Sequence, residues 1–184
     1  MTKPSLEQLL TPKWRGFIRR LADALDAHGV NYAVIGGMAL GKRAARVRAT
    51  EDIDILVGDE HRRAVMRAVR DAGLTRLAGN WPLVSYTDGT LSVDILCGEG
   101  DPEESMLALA AEVPLFGRQV PVATRPFLLW TYLLSDRPQH HEDALNVLRA
   151  INSAELRQLK LYLKHDKDAG SLRRLERWTA EALG

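Results

Sequence analysis

Two aspartates, two positions apart at the start of a short apolar strand, are the residues in this sequence best placed to do chemistry. Asp52 and Asp54 alternate with isoleucines, and the two-residue period of a strand puts both carboxylates on one face, with Cα atoms about 7 Å apart. A third carboxylate, Asp94, alternates with apolar residues in the later segment 91–96. Like charges crowded on a strand are unfavourable without a cation. The three aspartates therefore predict a site for Mg²⁺ or Mn²⁺, which favour hard oxygen ligands.

A pair of glycines after an apolar strand predicts a phosphate-binding turn. Gly36 and Gly37 follow the apolar run 32–35. Glycine lets backbone N–H groups approach an anion closely, and a helix that follows adds the positive end of its dipole. Four basic residues lie between this turn and the acidic strand: Lys42, Arg43, Arg46 and Arg48. Backbone amides, cations and metal together predict a site for a nucleoside triphosphate.

Each of these features is common by itself and then carries no function. A Gly-Gly pair is usually only a turn, an Asp-x-Asp pair occurs by chance, and a basic run is usually a solvated helix face. The order along the chain is less common: strand, Gly-Gly, basic helix, Thr-x-Asp-x-Asp strand and a later strand with Asp94. This order indicates a functional site.

The same motifs resemble those of the polymerase-beta-like nucleotidyltransferase superfamily. Segments 35–39 and 48–54 are more specifically similar to the AbiEii-type abortive-infection toxin nucleotidyltransferases, and the resemblance covers roughly residues 30–97. It implies an α/β (α+β) nucleotidyltransferase fold, with a small mixed β-sheet flanked by helices and a C-terminal helical segment. It also implies a cytoplasmic enzyme that uses an NTP as substrate and Mg²⁺ or Mn²⁺ as cofactor.

The resemblance assigns roles to individual residues. Asp52, Asp54 and Asp94 take the metal-ligand positions, and Asp94 also activates the acceptor hydroxyl. Thr50 and Arg48 support the acidic strand. Together with the phosphate-contacting glycines, the expected nucleotide-binding residues are Gly36, Gly37, Lys42, Arg46, Arg48 and Thr50.

The resemblance further implies transfer of a nucleoside monophosphate from an NTP to an acceptor hydroxyl. The acceptor is expected to be tRNA or another RNA, with the protein acting as the toxin of a toxin–antitoxin system and an antitoxin protein as a partner. Two alternatives stay open. One is a small-molecule nucleotidyltransferase that modifies an antibiotic, and the other is a non-catalytic module that senses or binds a nucleotide.

The similarity weakens after residue 97. The toxin-like proteins carry an Arg-x-Lys-Asp-x-x-Asp stretch, of which Arg137 and Asp143 are kept here, while Gln139 and His140 replace the Lys and Asp. His140 and His141 point about 100° apart on a helix, so they do not form one metal site by themselves. We expect a helix cap or an exposed polar pair at this position.

Length, composition and charge limit the class of protein. The chain has 184 residues, 25 basic and 24 acidic side chains and a net charge of +1, which excludes a uniformly basic nucleic-acid-binding surface. The single cysteine, Cys97, cannot form an internal disulfide and is expected to pack in the core. No apolar run reaches the roughly 20 residues that span a bilayer. Residues 1–10 lack the basic, apolar and small-residue pattern of a secretory signal peptide, so none is expected. A cytoplasmic location is expected.

Hydrophobic periodicity predicts the elements that position these residues. Strands are expected at 32–35, 53–57, 83–87, 91–96, 113–116 and 119–122, and helices at 5–28, 38–45, 61–72, 127–134, 141–149, 153–164 and 171–184. The absence of strand-like alternation after residue 126 predicts a nucleotidyltransferase core at 1–124 and a helical region at 125–184. Helix 61–72 is expected to bury Met66 and expose its arginines, and all four tryptophans are expected to be packing residues.

Overall fold

The computed structural model describes residues 12–44, 50, 52–101, 103–115, 117–165 and 167–184. These residues group into two compact units, one formed by 12–39 and 50–123 and the other by 40–44 and 124–184. The predicted site residues Arg46 and Arg48, and the part of the first predicted helix before residue 12, lie outside the described residues. Among the helices that are described, none has the length and apolar character needed to cross a membrane.

The first unit contains a seven-stranded sheet and its flanking helices. Its strands are β1 (Tyr32–Ile35), β2 (Asp52–Gly58), β3 (Thr75–Asn80), β4 (Leu83–Thr87), β5 (Ser92–Gly98), β6 (Ala111–Leu115) and β7 (Arg118–Val122). Its helices are α1 (Pro12–Ala27), α3 (Arg62–Asp71), which follows a 3₁₀ turn at Asp59–His61, and α4 (Glu103–Ala108), while α2 (Gly36–Arg43) begins in this unit.

The sheet is mixed, with the strand order β3-β4-β5-β2-β1-β7-β6. The β2–β5 and β1–β7 pairs are parallel, and all other pairs are antiparallel. This arrangement confirms the predicted fold class, a mixed β-sheet flanked by helices. It also places β2 and β5, the two strands with the aspartates, side by side in the middle of the sheet.

Helix α1 covers the apolar face of the central strands. Ile53 and Ile55 of β2 lie with Leu21 and Leu25 of α1 around one small internal cavity, and all four are at most 2% exposed. Because strand residues alternate between faces, burying these isoleucines turns Asp52 and Asp54 to the opposite face. The core thus determines where the carboxylates lie.

Helix α3 packs against α1 through Val65, Ala68 and Val69, all at most 2% exposed. The prediction that Met66 is buried was wrong, since this side chain is 48% exposed. Each helical residue rotates by about 100°, and the buried stripe continues through Ala68, so Met66 falls on the outer face. The outer face of α3 therefore combines an exposed methionine with the predicted arginines.

The second unit is helical, as predicted for the C-terminal part of the chain. It contains α5 (Arg125–Leu133), α6 (Pro138–Leu148), α7 (Ser153–His165) and α8 (Ala169–Leu183). Asn152 begins α7 with a capping box: its Oδ1 accepts the Ala154 and Glu155 amides at 2.9 Å, and Glu155 Oε2 accepts the Asn152 amide at 3.0 Å. These bonds satisfy N–H groups that have no partner inside the helix.

Two elements have no counterpart among the predicted ones. Strand β3 contains Thr, Arg, Leu, Ala, Gly and Asn, is exposed along its length and is held by antiparallel pairing with β4. Helix α4 has only six residues, which is too short for helical periodicity to stand out. A smaller difference concerns α2, which begins at Gly36 rather than at the predicted residue 38.

Candidate active site

Strand pairing brings the three predicted carboxylates onto one face of the sheet. In the parallel β2–β5 pair, Asp54 lies directly opposite Asp94, and Asp52 lies opposite Ser92. Neighbouring strands are about 4.8 Å apart. All three aspartates are partly exposed, while the alternating residues Ile53 and Ile95 are buried. The prediction that Asp94 shares a face with the first pair is therefore confirmed.

The glycine pair lies beside this acidic face. The antiparallel β1–β2 register places Ile35, the last residue of β1, opposite Asp54, and the next residue is Gly36. Gly36 has a φ of +59°, and a Cβ atom built on it would lie 1.8 Å from Oδ2 of Asp54. Any side chain at position 36 would collide with that carboxylate, so the close approach requires glycine.

The Gly-Gly pair forms the first two residues of α2 instead of a separate turn before it. The amides of Gly36 and Gly37 are therefore among the first N–H groups of the helix, which have no partner inside it. Such amides carry the positive end of the helix dipole. Amides at this position can contact an anion. The phosphate-binding role of the two glycines stays a prediction.

Two hydroxyl groups hold the carboxylates in place. Thr50, which is 7% exposed, donates from Oγ1 to the main-chain oxygen of Asp52 at 3.0 Å and to its Oδ1 at 3.1 Å. Ser85 of β4 donates from Oγ to Oδ1 of Asp94 at 2.6 Å. Thr50 is thus bonded to the first residue of the acidic strand.

Ser85 is the residue of this site that sequence reasoning missed. It lies opposite Asp94 in the β4–β5 hairpin. The signal was present, because the Asp88-Gly89 turn identifies the hairpin and a two-strand register follows from the position of its turn. Continuing that register by three pairs beyond the turn leads to Ser85.

Two of the predicted cations lie at the end of the helix that the glycines begin. Lys42 and Arg43 lie in the last turn of α2, at the end opposite to the glycines. The main-chain oxygen of Arg43 accepts a 2.7 Å hydrogen bond from Nε of Arg125, and burial together with the Arg125 charge lowers the pKa of Arg43. The role predicted for Lys42 toward the nucleotide stays a prediction.

The carboxylates do not form a closed metal cage. Within the described ranges, no three side chains of His, Cys, Asp or Glu converge in a group that could hold a metal ion. The Asp94 carboxylate is engaged by Ser85, and the Asp54 carboxylate packs against Gly36. The structure places the three carboxylates on one face of two neighbouring strands.

Cys97 takes no part in this face. It is 5% exposed and follows the buried positions Val93 and Ile95 on β5. Burial raises the pKa of its thiol, which keeps the sulfur protonated. The side chain is the small core residue that the sequence predicts.

The Gln139–Asp143 segment lies at the start of α6 in the second unit. Asp143 is fully buried, and its Oδ1 accepts a 3.1 Å hydrogen bond from Nε2 of Gln139. The two histidines point to different partners, as expected: the His140 ring lies 5.3 Å from that of Tyr132, and Nε2 of His141 lies 3.0 Å from Oε2 of Glu181. Gln139, which is exposed, thus makes a hydrogen bond within this unit.

Comparisons with known proteins support the fold. No family model and no curated protein matches the sequence. Among solved structures, the antibiotic-resistance factor ANT(2'')-Ia is similar with a TM-score of 0.64 and 18% identity, over 87% of this chain and 96% of that one. A second structure of ANT(2'')-Ia, in complex with adenylyl-2''-tobramycin, gives a TM-score of 0.63 and 17% identity, over 84% of this chain and 99% of that one.

A different antibiotic-modifying protein has a related structure. The lincosamide antibiotic adenylyltransferase LnuA, with lincomycin bound, is similar with a TM-score of 0.56 and 17% identity, over 75% of this chain and 96% of that one. At 17–18% identity the similarity shows the fold alone. The chain has the nucleotidyltransferase fold.

Proposed function

We propose that the protein is a metal-dependent nucleotidyltransferase, which transfers a nucleoside monophosphate from an NTP to an acceptor hydroxyl. The observation that carries the proposal is the contact between Gly36 and Asp54, with Asp94 opposite Asp54 in the sheet. It puts backbone amides suited to phosphate next to carboxylates suited to a cation. The likeness to nucleotidyltransferase structures supports the same reading.

The donor set fits a hard divalent cation. Asp52, Asp54 and Asp94 offer carboxylate oxygens on one partly exposed face, which suits Mg²⁺ or Mn²⁺. Convergence on a cation requires rotation of these side chains about their own torsions. When bound, the cation offsets the charge of the triphosphate and lowers the pKa of the acceptor hydroxyl.

The residues of the chain have defined tasks in this reaction. The amides of Gly36 and Gly37 orient the triphosphate, and Thr50 and Ser85 hold Asp52 and Asp94. The acceptor oxygen forms a bond to the α-phosphorus while the bond from that phosphorus to the bridging oxygen breaks. Pyrophosphate leaves, and the Asp94 carboxylate takes the proton of the acceptor hydroxyl. Positioning and charge complementarity supply most of the rate enhancement.

The acceptor in this proposal is RNA, with tRNA as the first choice. The resemblance of segments 35–39 and 48–54 to the abortive-infection toxins supports this choice, together with a toxin role and an antitoxin protein as partner. A growth assay tests that role: expression of the wild type should arrest growth, and expression of Asp54→Asn should not.

A small-molecule acceptor is the second candidate. One observation favours it: the fold likeness extends over 96–99% of the length of the ANT(2'')-Ia and LnuA chains. This chain therefore has the elements of proteins that act on an aminoglycoside and on a lincosamide. The third possibility, a non-catalytic nucleotide-binding module, has no such support.

A labelling experiment separates the three. The purified protein is incubated with Mg²⁺ and each α-labelled NTP in turn, with total tRNA in one series and with tobramycin and lincomycin in another. Label in tRNA supports the leading proposal, and label in an antibiotic supports the second candidate. The absence of label in both series, with nucleotide binding retained in equilibrium dialysis, would support the binding module and overturn the enzyme proposal. Asp54→Asn serves as the inactive control.

A further inference from the structure

A groove of about 510 Å³ lies on the side of the outer hairpin away from the carboxylates. Along β4, Ser85 contacts Asp94, whereas its neighbours Val84 and Tyr86 line the groove. Since successive strand residues face opposite sides, the groove opens on the face of the sheet covered by α3. It is separate from the nucleotide site proposed above.

The interior of the groove is apolar and aromatic. Val69 and Leu74 line it together with Val84, and the ring of Tyr86 and the indole of Trp81 complete it. Trp81 is only partly buried, unlike Trp14, Trp130 and Trp178. The Arg62 guanidinium lies 5.7 Å from the centre of the Trp81 ring. The partly exposed indole of Trp81 is a flat aromatic surface suited to stacking on a base.

The lining of the groove is positively charged. Arg70 and Arg76 line it, and no Asp or Glu does so in the described part of the chain. Arg76 is held in place by hydrogen bonds from Nη2 to the Gly79 carbonyl and, at 2.7 Å, to Oδ1 of Asn80. Such a lining favours an anionic ligand with an apolar or aromatic part.

The positive charge continues along the exposed face of α3. Arg63, Arg67 and Arg70 are spaced i, i+4 and i+7, so they lie on one face of the helix, over about 10 Å of its length. All three are exposed, and among the described residues none of them forms an ion pair. A row of cations of this length matches several successive phosphates better than a single one.

We infer that this groove and the arginine row bind a single-stranded segment of RNA, with one base against Trp81 and the adjoining phosphates along Arg63, Arg67 and Arg70. The inference rests on the RNA form of the proposed function and deepens it. Strand β3, at the edge of the sheet, is two strands from β5, a distance of about 10 Å. An RNA segment that crosses this edge can continue toward Asp94 with its acceptor end.

Fluorescence anisotropy with a labelled 12-nucleotide single-stranded RNA tests the inference, without NTP or divalent cation. Three arginines facing phosphates predict a slope of about −2.1 for log K against log salt, or roughly 20-fold weaker binding at 200 mM than at 50 mM KCl. The double variant Arg67→Gln/Arg70→Gln should reduce this slope by about 1.4 and weaken binding about 25-fold at 100 mM KCl. Trp81→Leu should weaken binding by at least about fivefold, the loss of one stacked base.

A matched control removes the same charge elsewhere. Arg149 and Arg157 are exposed residues of the helical unit, and Arg149→Gln/Arg157→Gln should bind RNA as the wild type does. Equal losses in the two double variants would overturn the inference, since binding would then follow net charge alone. Unchanged binding in Trp81→Leu, or displacement of the RNA by equimolar AMP or polyglutamate, would overturn it as well.

Failure of this inference is distinguishable from failure of the proposed function. Asp54→Asn should bind RNA with wild-type affinity, because Asp54 lies on the other face of the sheet. If the groove variants bind and label RNA as well as the wild type does, this groove is not the RNA site and nucleotidyl transfer stands. If RNA binds in the groove but no acceptor is labelled by the wild type, the enzyme proposal fails and the RNA site stands.

Discussion

A Cβ atom at position 36 would lie 1.8 Å from Oδ2 of Asp54 and 2.6 Å from its Cγ. The backbone of Gly36 therefore occupies the space that a side chain would take beside the central carboxylate. Its φ of +59° adds a second reason for glycine, because L-residues rarely adopt this conformation. Both requirements coincide at the residue that links the glycine pair to the acidic strand.

Gly36→Ala should abolish nucleotidyl transfer while leaving most of the protein folded. The new methyl group must displace the Asp54 carboxylate, which misplaces a donor of the proposed metal and phosphate site. We expect kcat/KM to fall by about 100-fold or more, the scale on which misplaced catalytic groups act. Labelling of the acceptor measures activity, and circular dichroism measures the folded fraction.

Gly29→Ala is the matched control for that substitution. Gly29 has a φ of +64°, and a Cβ atom there meets nothing within 4 Å. In both variants an alanine at positive φ should cost about 1–2 kcal/mol and lower Tm by about 4 °C. Only Gly36→Ala also creates the collision with Asp54. Equal activity of the two variants would show that the contact with Asp54 is irrelevant to function.

Asp54→Asn and Asp94→Asn should each reduce transfer by about 100-fold or more, because the substitutions remove charge at the proposed cation without a change in shape. The fold should persist, since both side chains are on the partly exposed face. The Tm of the wild type should rise when Mg²⁺ and NTP are added, and that rise should be smaller in the variants. Asp101→Asn, at an exposed aspartate, should behave as the wild type. Full activity in Asp54→Asn would contradict the assignment.

The turn between β4 and β5 should make stability depend on pH. Oδ1 of Asp88 accepts the amides of Leu91 and Thr90 at 3.0 Å, and Oδ2 accepts Nη2 of Arg20 at 2.8 Å. These hydrogen bonds, above all the one from the Leu91 amide, lower the pKa of this carboxyl. A depressed pKa means that the stabilisation is present above the unfolded value, near 4, and is lost as the pH falls through the folded value.

Asp88→Ala should therefore cost about 1 kcal/mol in the free energy of unfolding at pH 7. The difference from the wild type should shrink as the pH falls below about 4, toward and through the lowered pKa of the wild-type carboxyl. Urea unfolding at several pH values measures this difference. Asp88→Asn retains an acceptor oxygen without the charge, so its difference from the wild type isolates the charge. A pH-independent difference for Asp88→Ala would contradict the assignment.

The local sequence pattern was enough to predict which face of its strand each aspartate occupies. Period-two alternation placed Asp52, Asp54 and Asp94 on faces opposite to buried isoleucines and valine, because a strand has only two sides. The pairing of β2 with β5 is another matter, since it joins residues 40 positions apart, such as Asp54 and Asp94. No local preference encodes that register; it follows from how the whole sheet packs.

The elements that were missed share a lack of local signal. Strand β3 has little β-forming composition and is exposed along its length, so only its pairing with β4 makes it a strand. Met66 was assigned to the core because it is apolar and close to Val65 in the chain, although the helix rotates it outward. Sequence reasoning thus located the acidic face. It could not locate the groove on the other face, because β3 and Met66 both line that groove.

Ser85→Ala tests whether the orientation of Asp94 matters for the reaction. The Ser85 hydroxyl is 2.6 Å from Oδ1 of Asp94, and its loss leaves that carboxylate free to rotate away from the acceptor. Because Ser85 acts through Asp94 and touches no phosphate in the proposed complex, kcat should fall by about tenfold while KM for the NTP changes less than about twofold. Ser85→Thr keeps the hydroxyl and should recover most of the rate.

The control for Ser85 is a serine on the same face. Ser92 lies opposite Asp52 on β5, and among the described residues its side chain forms no hydrogen bond. Ser92→Ala should leave kcat within about twofold of the wild type, the scale of a surface substitution without a partner. A fall in kcat of the same size in both alanine variants would mean that the polarity of this face, rather than the Ser85–Asp94 hydrogen bond, sustains the rate. A loss in Ser85→Ala that Ser85→Thr recovers would assign the effect to the hydroxyl that holds Asp94.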